Sequence, residues 1–176
     1  RDLASEHFLV RYDARGSGIS DWEVPRFSFD AWVDDLEAVV DAAGLDRFPL
    51  LGISQGGAVA IAYAARHPER VSHLILLGAF ARGRLRRNSA EWIARHQAMS
   101  TFMRQSWGRD DAAFREIFSI TMIPGGTREQ WQWLTDLQRV SATPENAVRF
   151  HETSGAIDVE PLLPTITAPT LVLHGR

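Results

Sequence analysis

One serine of this chain lies in a setting that favours covalent chemistry. The run Gly52-Ile-Ser-Gln-Gly56 has the pattern G-x-S-x-G, with a short apolar run before it and a stretch rich in Gly and Ala after it. At such a strand-to-helix turn, the hydroxyl of Ser54 would lie at the top of a sheet, beside the positive end of a helix. A serine placed there can attack an acyl carbon, and the backbone N–H of Gln55 can stabilise the resulting oxyanion.

The two glycines of the pattern are expected to shape the turn. Gly52 and Gly56 carry no side chain, so a sharply turning backbone meets no clash at either position. The pattern alone is a weak signal, and it gains specificity from the strand before it and the helix after it. A glycine-rich turn without a catalytic role is the alternative interpretation.

The serine is embedded in an alternation of predicted strands and helices. Strand-like apolar runs lie at residues 7–13, 50–53, 71–77 and 170–173, and helical patterns lie at residues 28–43 and 55–66. Pro49 is expected only at the first position of its strand, because proline cannot donate a ladder hydrogen bond. This order of elements predicts right-handed crossovers and a mostly parallel sheet flanked by helices, which is an α/β fold.

Only helical patterns are found between residues 82 and 153, a segment that holds four of the six tryptophans. Thr127 and Gln130 form a predicted capping box, and Thr143 before a proline marks another helix start. We therefore divide a single, incomplete domain into a core over residues 1–81, a helical lid over 82–153 and a return to the core over 154–176. Trp107, Phe114 and Phe118 are candidates for the apolar wall of a substrate pocket under this lid, and the alternative is that such aromatics form the lid's own core.

Composition limits the classes of function. The chain has 176 residues, 45% of them hydrophobic, and a formal net charge of -3, which indicates a globular domain. The basic residues are scattered apart from Arg82, Arg84, Arg86 and Arg87, a cluster interpreted as solvated surface. This scatter predicts no nucleic-acid partner. The absence of cysteine excludes thiolate metal sites and favours a cytoplasmic location, and the absence of a long apolar run predicts no membrane partner. Chemistry at a serine needs neither a metal nor a cofactor, so none is predicted.

Several runs together resemble the α/β-hydrolase superfamily. They are Tyr12-Asp-Ala-Arg-Gly-Ser-Gly-Ile-Ser20, the serine turn, His67-Pro-Glu-Arg-Val71 and Pro169-Thr-Leu-Val-Leu-His-Gly175. The resemblance implies a serine hydrolase of small ester, lactone or related acyl substrates, with a Ser, acid, His triad in chain order and a lid after the strand at 71–77. Asp13 and Arg15 of the first run are interpreted as residues that shape a turn.

The resemblance also identifies what this chain lacks. In relatives the acid lies a few residues beyond the His-Gly of the last strand and the base histidine lies much later, so both positions would fall past Arg176. None of the six histidines is a good substitute base. Relatives also have a central strand before residue 7. The chain is therefore expected to be a fragment, cut at both ends, that is poorly stable and inactive or nearly so.

A narrower resemblance suggests a second function. Residues 32–80 are similar to hydrolase modules fused to LuxR-type regulators or class III adenylate cyclases. A fused regulatory domain is therefore a possible partner besides the small-molecule substrate. The alternative to an enzyme is a catalytically silent module that binds a ligand under the lid and controls an attached regulator or cyclase.

Overall fold

The computed structural model describes the backbone of residues 2–107 and 112–175 and the side chains of residues 4–107 and 117–175. The described helices are α1 Asp2–Glu6, α2 Phe29–Ala42, α3 Gln55–Arg66, α4 Ala90–Ser106, α5 Ala112–Met122, α6 Arg128–Ser141 and α7 Pro144–Ala156. The described strands are β1 Phe48–Ile53, β2 Val71–Leu77 and β3 Thr170–Leu173. Within these residues, no helix has both the length and the apolar character that a membrane crossing requires.

The three strands form one parallel sheet in the order β1-β2-β3. Ile53 at the end of β1 is level with Leu77 of β2, and Leu77 is level with Leu173 of β3. The carboxyl ends of all three strands therefore meet at one edge of the sheet. This arrangement confirms the predicted α/β class with a parallel sheet flanked by helices, and β2 and β3 have the predicted bounds.

Helices α2 and α3 cover one face of the sheet. The hydroxyl of Ser28 accepts a hydrogen bond from the Ala31 N–H and caps α2 at its start. Gly44, with a φ of 61°, follows the end of the helix, as the sequence predicted. The main core joins the apolar stripe of α2 to the buried side of α3 and to the inward residues of β1 and β2: Trp32, Val33, Leu36, Val40, Ala58, Ile61, Tyr63, Leu50, Leu74 and Leu76.

Strand β1 is longer than the sequence indicated. It begins at Phe48 rather than after Pro49, and its pairing with β2 is irregular between these two residues. Phe48 donates its N–H to the carbonyl of Arg70 over 2.9 Å. A proline is tolerated at the second position because, among the described residues, β1 pairs on one side only and the ladder is already irregular there.

The prediction of a strand at residues 7–13 is wrong, because this segment has no regular secondary structure. Phe8 is 86% exposed and Leu9 is 49% exposed. An apolar run of strand length becomes a strand only when a neighbouring strand takes its backbone hydrogen bonds. No such neighbour lies beside this run in the described part of the chain, so sequence pattern alone overestimated it.

The second face of the sheet exposes apolar side chains. Leu51, Ile53, Leu77, Leu171 and Leu173 share this face according to the strand register, and each is between 40% and 55% exposed. Parallel sheets are usually covered on both faces. The helices that pack on this sheet in the described residues therefore supply one of the two expected layers.

The helical segment after β2 leaves and rejoins the core at one narrow neck. Arg82 and Asp158 form an antiparallel bridge, the Gly83 N–H donates to the Ile157 carbonyl over 2.8 Å, and the Val159 N–H donates to the Ala81 carbonyl over 2.9 Å. Helices α4 to α7 lie between the two sides of this neck, and we call them the insertion. The last helix runs to Ala156, past the boundary expected at residue 153.

Two histidines are stacked where α4 meets α7. The rings of His96 and His151 lie 4.0 Å apart, with an angle of 13° between their planes. His96 is 3% exposed, and neither of its ring nitrogens has a hydrogen-bond partner among the described residues. Burial and the neighbouring His96 lower the pKa of His151 to about 4, and burial and Arg84 lower the pKa of His96. At neutral pH, both histidines of the folded protein are therefore uncharged.

The stacked pair should make the protein less stable in acid. Since both histidines have lower pKa values in the folded chain than the unfolded value of about 6.5, the unfolded state takes up more protons as the pH falls from about 6.5 towards 4. We expect the melting temperature to fall over this window by at least about 5 °C more in the wild type than in a double variant, His96→Phe with His151→Phe, that keeps two rings but cannot take up protons. Calorimetry at a series of pH values measures this difference, and parallel curves for the two proteins would contradict it.

Candidate active site

The serine of the G-x-S-x-G run occupies a strained turn between β1 and α3. Its backbone has φ 54° and ψ -122°, a region that side-chain-bearing residues seldom adopt. The Ser54 N–H donates to the Leu77 carbonyl over 2.9 Å, and the Ser54 carbonyl accepts from the Gly57 N–H over 3.0 Å. Both sides of the strained residue are thus fixed by hydrogen bonds, while its side chain is exposed.

At two positions of this turn, only glycine fits the close contacts with neighbouring atoms. A Cβ at Gly52 would lie 2.6 Å from the Cα of Gly57 and 2.7 Å from the carbonyl oxygen of Gly56. A Cβ at Gly57 would overlap the Cβ of Ala79, which follows β2. Among the described residues, a Cβ at Gly56 would meet nothing within 4 Å. The close packing of the turn therefore falls on Gly52 and Gly57.

The surroundings of Ser54 suit a developing negative charge. Ser54 is the N-cap residue of α3, a helix of 12 residues, and Gln55 is the first residue of that helix. The first N–H groups of a helix have no carbonyl partner within it, and they carry the positive end of the helix dipole. When the Ser54 hydroxyl attacks a carbonyl carbon, the carbonyl oxygen becomes an oxyanion close to N–H groups that have no carbonyl partner within the helix. The Gln55 N–H is the nearest of these donors in sequence.

Gln55 also links the turn to the insertion. Its side-chain oxygen accepts a hydrogen bond of 3.0 Å from the hydroxyl of Ser154 in α7. Sequence reasoning missed Ser154, since the two residues are 99 positions apart and no local pattern marks the serine. Only the docking of α7 on the core brings them together.

The histidines are distributed away from Ser54 in the described residues. His67 follows α3 and lies 3.5 Å from a carboxylate oxygen of Glu37, and His96 and His151 form the stack inside the insertion. His174 follows β3 at the same sheet edge as Ser54. The strand that it follows is separated from β1 by β2.

Two of the three aromatic residues proposed for a pocket wall lie in the insertion's own small core. Trp107 and Phe118 meet edge to face at 5.3 Å and pack against a cluster that includes Met103 and Val148. The Trp107 indole N–H donates to the Ala142 carbonyl over 3.0 Å. Phe114 belongs to α5, but its side chain lies outside the described residues. The structure thus brings Trp107 and Phe118 together, and their contact with a substrate stays a prediction.

The turn that contains Asp13 and Arg15 connects the core to the insertion. The carboxylate of Asp13 accepts from the Ile19 N–H, and Arg15 makes a two-pronged ion pair with Asp35 of α2 at 2.7 and 2.6 Å. Buried Asn146 of α7 donates to the carbonyls of Gly16 and Trp22. These contacts agree with a structural role for the two charged residues.

The described residues contain no group of three or more His, Cys, Asp or Glu side chains placed to hold a metal ion. The groups that the structure places around Ser54 are a hydroxyl, backbone donors and a helix terminus. This combination is suited to attack on a carbonyl carbon and to stabilisation of the oxyanion that forms.

The family model and the relatives that this chain matches belong to the same family. The sequence profile described as "alpha/beta hydrolase fold" matches residues 1–176. An AB hydrolase superfamily protein, YisY of Bacillus subtilis (strain 168), is 30% identical over 169 residues, which are 96% of this chain and 63% of that protein.

Solved structures give the same result. An esterase from Exiguobacterium antarcticum matches with a TM-score of 0.76 and 24% identity over 91% of this chain and 60% of that one. A thermophilic esterase from Thermogutta terrifontis matches with a TM-score of 0.66 and 28% identity over 93% of this chain and 59% of that one. The chain thus spans about three fifths of the length of these relatives.

Replacement of the strained serine should separate strain from chemistry. Ser54→Gly and Ser54→Ala both remove the hydroxyl, but glycine tolerates a φ of 54° whereas alanine does not. We expect Ser54→Gly to be more stable than Ser54→Ala by about 1 kcal/mol in the free energy of unfolding. Denaturant titration of the two variants measures this difference. An alanine variant as stable as the glycine variant would show that the turn is not strained.

A methyl group at position 57 should break the contact between α3 and the chain after β2. Gly57→Ala would place its Cβ on that of Ala79, and we expect a loss of about 1–3 kcal/mol in the free energy of unfolding. Ala79→Gly should restore much of this loss in the double variant, because it removes the atom that clashes. Gly56→Ala is the matched control and should cost less, since its Cβ would meet nothing within 4 Å. A double variant no more stable than Gly57→Ala would contradict this contact as the cause.

Proposed function

This chain belongs to the α/β-hydrolase fold family, and on that premise we propose that the full-length protein is a serine hydrolase with Ser54 as its nucleophile. Its substrates would be small esters, lactones or related acyl compounds. The observation that supports this most is the backbone of Ser54, whose φ of 54° is maintained at the junction of a strand and a helix. Strain of this kind persists where the surrounding structure enforces it, and it is concentrated at functional sites.

The proposed reaction begins with attack of the Ser54 hydroxyl oxygen on the acyl carbon. A histidine base takes the hydroxyl proton, and the carbonyl oxygen becomes an oxyanion that accepts a hydrogen bond from the Gln55 N–H. Collapse of this intermediate expels the alcohol, which receives the proton, and leaves an acyl group on Ser54. Water then attacks the acyl group by the same steps and releases the acid. This route needs neither a metal nor an organic cofactor.

The triad partners belong to the proposal for the whole protein. The family resemblance implies that the acid and the histidine lie past Arg176. The histidines of the described residues lie in other settings, such as the stack of His96 on His151. Residues 1–176 alone would accordingly be inactive or nearly so.

The names of relatives support an acyl substrate. The Thermogutta terrifontis protein, 28% identical to this chain, is an esterase. Family members that cleave epoxides or haloalkanes generally use an aspartate as nucleophile, so the serine at position 54 argues against those reactions. Trp107, Phe114 and Phe118 remain candidates for the apolar wall of the pocket.

A second candidate function is a ligand-sensing module attached to a regulator or a cyclase. It is favoured by the similarity of residues 32–80 to hydrolase modules in such fusions. An intact acid and histidine in the full-length sequence would support the enzyme. Replacement of either one would support the sensor, because a hydrolase fold without its base still encloses a ligand but turns over no ester.

The enzyme hypothesis predicts a reaction that depends on Ser54. We expect the full-length protein to react with a fluorophosphonate probe and to hydrolyse p-nitrophenyl esters. Ser54→Ala should abolish the labelling and lower kcat by at least about 10³-fold. Release of p-nitrophenol and in-gel fluorescence of the labelled protein measure the two effects.

The matched control is Ser72→Ala, which removes a serine next to His73 in β2 and should leave both readouts unchanged. Equal labelling of wild type and Ser54→Ala would show that another residue is the nucleophile. A folded full-length protein that neither labels nor turns over would refute the enzyme hypothesis and favour the ligand-sensing module.

A further inference from the structure

We propose that Ser154 is a positioning residue that fixes Gln55 and makes the oxyanion donor depend on the docked insertion. This inference rests on the proposed function, since it concerns the backbone N–H that would bind the oxyanion. The contact that carries it is the hydrogen bond of 3.0 Å from the Ser154 hydroxyl to the side-chain oxygen of Gln55. Gln55 directly follows the strained serine and begins α3, so this bond joins the insertion to the residue next to the nucleophile.

The Ser154 hydroxyl forms its hydrogen bond outside its own helix. Several serine and threonine side chains of the insertion donate to the carbonyl four residues earlier in their own helix, as Thr101 does to Gln97 and Ser141 to Leu137. That local bond is the default for such residues in a helix. Ser119 and Thr135 bond to each other between α5 and α6. Ser154 instead donates to another part of the chain. Its hydroxyl therefore joins α7 to the turn at residues 52–57, which we call the elbow.

The end of α7 is held firmly enough for Ser154 to act in this way. A Cβ at Gly155 would overlap the ring of His96, and a Cβ at Gly83 would overlap the carbonyl oxygens of Ser154 and Gly155. Ile157, which follows the helix, is 2% exposed and accepts the Gly83 N–H over 2.8 Å. Close packing on two sides of Ser154 therefore fixes the backbone that carries its hydroxyl.

Fixing the side chain of Gln55 has a consequence for its backbone. In the described part of the chain, the peptide N–H of Gln55 donates to no carbonyl, as expected at the start of a helix. Its direction depends on two backbone torsions, ψ of Ser54 and φ of Gln55. A side chain held at its far end removes part of that rotational freedom before the substrate binds. Donors that are aligned in advance stabilise the transition state more than donors that must reorganise. The structure thus links oxyanion stabilisation to the insertion.

The test measures hydrolysis by the full-length protein per site that the fluorophosphonate labels. We expect Ser154→Ala to lower kcat about three- to tenfold, the effect of one lost hydrogen bond, with KM changed less than about twofold. Ser154→Thr keeps a hydroxyl and should restore most of the rate. Thr153→Ala, which removes the neighbouring hydroxyl of the same helix, is the matched control and should behave as the wild type.

A double-mutant cycle with Gln55→Met isolates the contact. If Ser154 acts through the side chain of Gln55, Ser154→Ala should cause no further loss of kcat in the Gln55→Met background. A purely structural role would instead lower the labelled fraction and the melting temperature and leave kcat per labelled site unchanged.

Two results would overturn this inference. One is an unchanged kcat per labelled site in Ser154→Ala while Ser54-dependent hydrolysis persists, and the other is an equal loss in both Gln55 backgrounds. A wild type with no Ser54-dependent hydrolysis would be a different failure, because it would refute the proposed function itself.

Discussion

The close approach of α3 to the end of β1 is the constraint on which the rest of the structure depends. It requires glycine at positions 52 and 57, where a Cβ would meet backbone or side-chain atoms at less than contact distance. Because the helix lies so close, small residues along α3 are buried against the sheet and Tyr63 is fully enclosed in the main core. The same approach forces the chain to reverse direction at Ser54. The packing of the core and the strain at Ser54 therefore both result from this close approach. A change that separates α3 from β1 would affect both.

The insertion depends on this core mainly through α7. The start of that helix meets the loop after Asp13, where Asn146 donates to the carbonyls of Gly16 and Trp22. Its end meets the elbow through Ser154 and Gln55 and adjoins the neck at Gly83. A buried amide that loses its partners costs roughly 1–3 kcal/mol, so Asn146 alone favours one docked position. The position of α7 therefore also determines where α4, which packs against it, lies relative to the elbow.

The sequence predicted the elements whose signals are local. Helix α2 has its cap at Ser28 and an apolar stripe, and α3 has its bounds set by the serine turn and by His67-Pro68. Residues 7–13 were predicted as a strand because an apolar run looks the same whether or not a neighbouring strand exists. The spacing of Trp107 and Phe118 likewise could not distinguish a pocket wall from the insertion's own core. Ser154 carried no signal, because its partner lies 99 residues away.

The geometry separates two parts of the proposed chemistry. Attack and oxyanion stabilisation need Ser54 and the first N–H groups of α3, and both are fixed by backbone contacts within the described residues. Proton transfer needs a base within about 3 Å of the hydroxyl. Among the described residues, the hydrogen bonds of the histidine rings go to Ser72 and to the His96 carbonyl rather than to Ser54. The turn thus fixes the Ser54 backbone, while its exposed hydroxyl has no hydrogen bond to a histidine within the described residues. Placement of the nucleophile and activation of its hydroxyl are therefore separate requirements, and the turn at residues 52–57 meets the first of them.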